Sequence, residues 1–247
     1  MENPAKADSP IPAPKPRRRR WFQFSLRSLL ISTVVCAIGS AWVARKIERK
    51  RREREVVEGI FKLGGSVRYD YQRGEVDDAP PGPDWLRKLL GENIFSEVSE
   101  VALVGNDVTD DSLESLKALQ ELKTLWLFRT RITDDGLAKL NLLKQLQEFS
   151  VEQAPVTDAG FATLKLFTRL QMLDLGGTKV TAAGLVNLKG LTQLRELFLN
   201  QTQLADSGLA RLKEFTQLKA LWLNGTKVTD AGVADLQKAL PKCRIEH

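Results

Sequence analysis

Residues 122–145 read LKTLWLFRTRITDDGLAKLNLLKQ, and residues 218–241 read LKALWLNGTKVTDAGVADLQKALP. The same pattern recurs every 24 residues, at 98–121, 122–145, 146–169, 170–193, 194–217 and 218–241, with the consensus LxxLxLxxTxVTDxGLxxLxxL. Counting from the first residue of each repeat, positions 1, 4, 6, 11, 16, 19 and 22 are apolar in all six, Ala239 included. Seven positions in six repeats make 42 sites without a polar side chain, which chance does not give a chain that is 43% hydrophobic. A fixed period of this length marks a solenoid of stacked units.

The period changes inside each repeat, and that sets its geometry. Positions 4 and 6 alternate, as in Leu125/Leu127 and Leu173/Leu175, which predicts a short strand with one face inward. Positions 16, 19 and 22 lie three apart, as in Leu137/Leu140/Leu143, which predicts one face of a helix. Between them Thr133-Asp134, Thr157-Asp158 and Thr229-Asp230 read as helix N-caps, the carboxylate also suiting the helix dipole. Ala182 and Ala205 break this pair, and Ser112 departs where the other repeats carry glycine. Gly136, Gly160, Gly184, Gly208 and Gly232 stand in the first helical turn, where glycine is unfavourable, so close backbone packing between neighbouring repeats is expected. Position 9 is Asn106, Thr130, Ala154, Thr178, Thr202 and Thr226. A polar side chain there serves the turning backbone; Ala154 has none, so the third repeat is expected to be the loosest.

These residues resemble the leucine-rich repeat family over about 144 of 247 residues. The VTDxGL variant is similar to repeats found beside F-boxes and in bacterial single-pass membrane-anchored leucine-rich repeat proteins. The segments FSLRSLL and GGSVRYDY also resemble the bacterial kind. The resemblance implies an α/β fold: a right-handed leucine-rich repeat solenoid of six 24-residue repeats, with a parallel concave sheet and convex helices. No F-box-like helical module precedes the repeats, which counts against a degradation adaptor.

The first fifth of the chain has a different composition. Residues 1–54 carry 14 Lys+Arg and 4 acids, a net +10, whereas residues 55–247 carry 23 and 27, a net −4. A nucleic-acid-binding domain keeps its positive charge on the folded part; here it flanks an apolar segment, which points to a membrane surface. Residues 1–20 read as a disordered Pro/Arg-rich tail, with five of the ten prolines before Arg17. Residues 21–44 read as a transmembrane helix, with Trp21 and Trp42 at interfacial positions. Its uncharged core, Ser28 to Ala44, has 17 residues, a little short of the ~20 that span a bilayer. A cleaved signal peptide ending at Gly39-Ser40-Ala41 is the alternative. Basic residues on both sides nearly balance the positive-inside rule; the expected arrangement has the repeat domain on the extracytoplasmic side. Residues 45–63 read as a juxtamembrane basic helix, with the flanking cations contacting anionic lipid. Residues 64–97 read as an N-terminal cap, with Val67, Tyr69 and Tyr71 as a capping strand and a short helix over Asp84 to Leu90, stopped by Gly91, whose apolar set is Trp85, Leu86, Leu89 and Leu90. Residues 242–247 read as a C-terminal cap in which Cys243 is a core residue.

The only His is the last residue and the two Cys are Cys36 and Cys243, so no Ser–His–Asp or Cys–His machinery and no Cys/His zinc site is available. No enzyme and no cofactor is expected. In a sheet of the resembled type, positions 3, 5, 7, 8 and 10 face the concave side. Trp126, Phe128, Phe198 and Trp222 would lie there as two aromatic clusters, with Arg129 and Arg131 beside the first and Glu148, Glu152 and Asp174 between the two. Exposed aromatics of this kind are characteristic of interface cores. The expected function is a membrane-anchored, non-catalytic protein–protein interaction module acting through this concave face on a protein partner. The alternatives are a cell-envelope receptor that stacks a glycan or small ligand on the aromatics, and an F-box-like adaptor. The sequons at Asn200 and Asn224 coincide with repeat positions 7 and 9 and read as by-products of the repeat.

Overall fold

The computed structural model describes residues 26–73 and 79–247. The expected tail at 1–20, and the start of the expected membrane segment at 21–25, lie outside the described residues. The chain divides into two units, residues 1–44 and 45–247. Helix α1, Leu26–Lys62, passes from one to the other.

In the first unit the described apolar side chains of α1 are exposed on every side: Leu30, Ile31, Val34, Val35, Ile38, Trp42 and Val43. Among the described residues no helix is long and apolar enough to cross a membrane.

The second unit is built on one sheet of eight strands in sequence order. After β1 (Ser66–Tyr69) come β2 (Val98–Val104), β3 (Thr124–Phe128), β4 (Glu148–Ser150), β5 (Met172–Asp174), β6 (Glu196–Phe198), β7 (Ala220–Trp222) and β8 (Arg244–Glu246). Strands β2 to β8 are parallel, and each residue pairs with the one 24 positions on, from Glu100↔Thr124 through Glu196↔Ala220 to Ala220↔Arg244. β8 carries this spacing past Pro241, so the C-terminal segment adds a rung in register. β1 caps the front of the sheet and is antiparallel to β2.

The repeated apolar positions fill the space between sheet and helices. All are buried except Val228 and Ala239. The side facing away from the sheet is less helical than expected. It holds α3 (Asp134–Lys139), α4 (Phe161–Leu164), α5 (Asp206–Leu212) and α6 (Asp230–Ala239), and 3₁₀ turns at Asp110–Leu113, Ser115–Ala118 and Gly184–Leu188. The physical reason is in the spacing: apolar residues three apart match three residues per turn. In α6, with ten residues, the longer α-helical period puts position 22 out of phase. Ala239 turns outward and Leu240, 3% exposed, enters the core in its place.

The Thr-Asp pair divides its work between two rungs. Thr133 and Thr229 cap their own helices by accepting the N–H of Asp135 and Gly232. The aspartate reaches the next rung instead. Asp158 accepts the Thr181 N–H at 2.8 Å and the Thr181 hydroxyl at 2.6 Å. Asp110 on Thr133, Asp134 on Thr157 and Asp206 on Thr229 repeat the clamp. The glycine of the first helical turn serves this contact: a Cβ on Gly136, Gly160, Gly184 or Gly232 would overlap the clamping Oδ1. Inter-repeat closeness is therefore present, chiefly against a carboxylate, with the neighbouring backbone also close at Gly160, where a Cβ would lie 3.3 Å from Asp134 Cα. Ala182 and Ala205 are the two halves of one missing clamp. There Leu204 Cδ1 takes the space beside Gly208 that a carboxylate fills elsewhere.

At the front, Val56, Val57 and Ile60 of α1 join the buried cluster of the repeats. Lys50 is also buried, as is Glu53. The Lys50 ammonium donates to Glu53 at 2.7 and 3.0 Å, to Glu97 at 3.0 Å and to the Ser96 carbonyl; Arg49 pairs with Glu97. Burial pushes the Glu53 carboxyl up, partly offset by Lys50. For Glu97, Lys50 and Arg49 outweigh burial and hold it low. Arg49 and Lys50, expected as lipid contacts, thus fasten the helix to the cap. Tyr71 lies not in β1 but in the 3₁₀ turn Asp70–Arg73, its ring stacked on Tyr69 at 6.0 Å. α2 (Asp84–Leu90) buries none of its residues: Trp85 and Leu89 are 67% and 72% exposed, against the expectation of a packed cap helix. Cys243 is buried, and burial pushes its thiol up.

Candidate partner-binding face

The side chains on the open face of the sheet come from alternate residues of strands too short to hold them by local structure. Their positions follow from the register of the rungs. Position 5 forms a row, Trp126, Ser150, Asp174, Phe198, Trp222 and Glu246.

At the β6–β7 end, the rings of Phe198 and Trp222 lie 3.8 Å apart and 3° from parallel. At the β3 end, Trp126 and Phe128 are half-buried. The Arg129 guanidinium covers Phe128, 5.0 Å from its centroid, and donates through Nε to Gln153 at 2.9 Å. Arg131 is exposed beside them. Glu148 accepts a long bond from the Thr124 hydroxyl, 3.4 Å, and stands apart from the other two acids.

Glu152 and Asp174 are brought together with Phe198 around a recess of about 540 Å³, lined also by Gly176, Gly177, Asn200, Gln201, Asn224 and Gly225. Its size is that of a ligand pocket. Asp174 Oδ1 accepts the Gly176 N–H at 2.9 Å, and Oδ2 the Ser150 hydroxyl at 3.4 Å. Burial pushes the Asp174 carboxyl up against these two bonds. Glu152 is also pushed up, by burial first and the nearby Asp174 charge second, with Arg129 pulling the other way. Among the described residues neither carboxylate has an ion-pair partner. Two such groups favour a cationic or hydrogen-bond-donating guest. Among the described residues no group of three His, Cys, Asp or Glu side chains is placed to hold a metal ion.

Asn200, Gln201 and Asn224 belong to the recess and are not among the residues expected to act. The signal for them was the Gly176-Gly177 doublet, which removes two side chains from the row where Glu152-Gln153 and Asn200-Gln201 stand on either side. Thr202 and Thr226 of the two sequons donate to the Leu199 and Leu223 carbonyls, and Thr178 to that of Leu175. These bonds give Thr178, Thr202 and Thr226 a structural task.

No family model and no curated protein matches the chain. Among solved structures it is similar to an internalin of Listeria monocytogenes, at 26% identity and a TM-score of 0.47, over 54% of this chain and 36% of that one. It is also similar to internalin C2 of the same organism, at 26% identity and a TM-score of 0.44, over 55% of this chain and 56% of that one. A leucine-rich repeat protein of Leptospira interrogans is 21% identical with a TM-score of 0.47, over 68% of this chain and 40% of that one. The chain thus spans between about a third and a little over half the length of these bacterial proteins. The architecture is read from the chain itself, a parallel sheet whose rungs repeat every 24 residues.

Proposed function

We propose that this chain is a membrane-anchored, non-catalytic interaction module that holds a protein partner on the open, concave face of its repeat sheet. One observation carries the proposal: Trp126, Phe128, Phe198 and Trp222 stand half-exposed on a sheet face that no element among the described residues covers. Large rings left at a water-facing surface cost free energy that a partner's surface recovers, and aromatic residues dominate the binding energy of interfaces. Six strands at ~4.8 Å spacing give a face about 29 Å long, enough for a peptide or a domain edge.

The anchor is supported by residues 28–44, which carry no charge and leave their described apolar side chains exposed on every side of α1. Such a segment is stable in lipid and costly in water. The basic residues on both sides suit a headgroup region, and the repeat domain is assigned to the extracytoplasmic side of a bacterial membrane.

The experiment is a pair of variants, Trp126→Ala and Trp222→Ala. Both are expected to keep a cooperative melting transition and to lose the partner in pull-down. If both lose the fold instead, the rings are structural and the binding face is wrong. A glycan receptor is the second reading, favoured by the exposed rings. Against it, Phe198 and Trp222 already cover one face of each other. Glycan-array binding that needs both rings would decide for it.

A further inference from the structure

We propose that the recess above Gly176-Gly177 seats one arginine side chain of the partner, its guanidinium between Glu152 and Asp174 and its stem along Phe198. This rests on the reading of the open face as a protein-binding surface, and names what that surface selects.

The recess exists because side chains are missing. Phe128-Arg129, Glu152-Gln153 and Asn200-Gln201 fill the positions that Gly176-Gly177 occupies in the fourth repeat. Backbone conformation does not demand glycine at the second of these. Arg129, Gln153 and Gln201 hold φ of 53°, 54° and 56°, where Gly177 holds 66°. Space is what glycine provides: a Cβ on Gly177 would lie 2.8 Å from Gln153 Cγ, and one on Gly176 3.2 Å from Asp174 Oδ1.

The walls specify the guest. Two carboxylates that line one recess, with Arg129 near Glu152 but no direct ion pair to either among the described residues, take a positive charge. The Glu152 carboxylate accepts no hydrogen bond among the described residues, and Asp174 Oδ1 and Oδ2 keep unused lone pairs beside their two bonds. Phe198 is stacked on Trp222 behind it, so its other face is the wall an apolar stem can lie on. A planar fork that serves two carboxylates and lies against a ring is the chemistry of arginine rather than lysine.

The molecule contains a partial counterpart, an arginine laid on a ring and bonded to a neutral amide rather than to carboxylates. In the second repeat Arg129 stands at the place equivalent to Gly177, lies over Phe128 and donates to Gln153. In the fourth repeat the arginine is absent, the place is open, and the neighbouring acids are in position. The partner supplies the missing side chain.

The test is selection of random 12-residue peptides displayed on phage against the full chain in mild detergent. Peptides that bind the chain and are lost on Trp126→Ala or Trp222→Ala are expected to share one arginine. Replacing it by citrulline, which keeps the shape and removes the charge, is expected to weaken binding at least tenfold. Glu152→Gln and Asp174→Asn should each cause a similar loss while melting cooperatively, and should cause no further loss with the citrulline peptide. Face-dependent peptides without an arginine preference, or arginine peptides insensitive to both acid variants, overturn this proposal and leave the protein-binding face standing. Peptides that ignore the tryptophan variants, or no binding peptides at all, overturn both. Lysine tolerated as well as arginine overturns the fork geometry, and with it the proposal.

Discussion

Between the fourth and fifth repeats three departures form one set: Ala182 lacks the clamping carboxylate, Ala205 lacks the hydroxyl that meets it, and Leu204 is the only leucine at a position that is otherwise valine or isoleucine. The extra methylene of Leu204 fills the space beside Gly208 where a carboxylate sits in other rungs. Restoring the clamp as Ala182→Asp with Ala205→Thr should therefore collide with Leu204 until that residue is shortened. An intact clamp makes two bonds of 2.6–2.8 Å to a partly exposed carboxylate, together worth roughly 1–2 kcal/mol. The introduced threonine also adds an N-cap to α5, where Ala205 makes none although its backbone is already extended, worth about 1 kcal/mol. Leu204→Val alone removes one methylene from a fully buried site and should cost about 1 kcal/mol. In the clamped background the same change relieves the overlap, so its effect should reverse sign. The triple variant should exceed the parent by roughly 1–2 kcal/mol, a rise in Tm of about 2–8 °C for a domain of this size. Urea and thermal denaturation of the parent, Leu204→Val, the double and the triple give the cycle. An equal cost of Leu204→Val in both backgrounds would refute the exchange of apolar fill for polar clamp.

Thr130 and Thr178 occupy the same repeat position, yet only Thr178 donates to a carbonyl, while the buried Thr130 hydroxyl is without a partner. Thr178→Val should cost about 1 kcal/mol and Thr130→Val nothing or less than nothing, by chemical denaturation. Lys50→Met strips Glu53 of its partner in a buried site and should cost about 3–5 kcal/mol; adding Glu53→Gln should recover part of it, and an exposed, lipid-contacting lysine would show neither effect. Asp174 is pushed up in the fold by burial against Ser150 and the Gly176 N–H, beside Glu152 and, beyond it, Arg129. The folded state therefore binds that proton more tightly than the unfolded chain, and stability is lost as pH rises from the ordinary aspartate range through the raised value. The advantage of Asp174→Asn over the parent should grow from pH 3 to pH 7 in denaturant titrations; an advantage that shrinks would show the carboxylate to be stabilising.

The rungs were legible because burial is so regular. A side chain at position 4 or 6 has one inward direction, and a parallel register of 24 leaves no alternative pairing, so Leu125, Phe149 and Leu173 sit where alternation puts them. The helices were legible in place but not in kind, since three-residue spacing fits a 3₁₀ turn as well as one helix face. What a side chain does across a rung was hidden. Asp158 has the sequence signature of an N-cap and spends its carboxylate on Thr181, 23 residues away. The Lys50 cluster was hidden for the same reason: its partners Ser96 and Glu97 are 46 and 47 residues distant, and a basic run beside an apolar segment has an obvious local explanation. The aromatic clusters followed from position alone. The recess did not, because it is defined by two absent side chains, and a pattern read from recurring residues gives little weight to Gly176-Gly177.

That this chain holds a protein on its open sheet face is tested most directly by site-specific photo-crosslinking in the native host. A photoreactive phenylalanine analogue in place of Trp126 or Trp222 is compared with the same analogue at Leu166 or Val186, which are exposed on the opposite side at 39% and 51%. A discrete crosslinked protein from the two sheet positions and none from the other two is the expected result. Crosslinks of equal yield from both sides, or from the helical side alone, would contradict it.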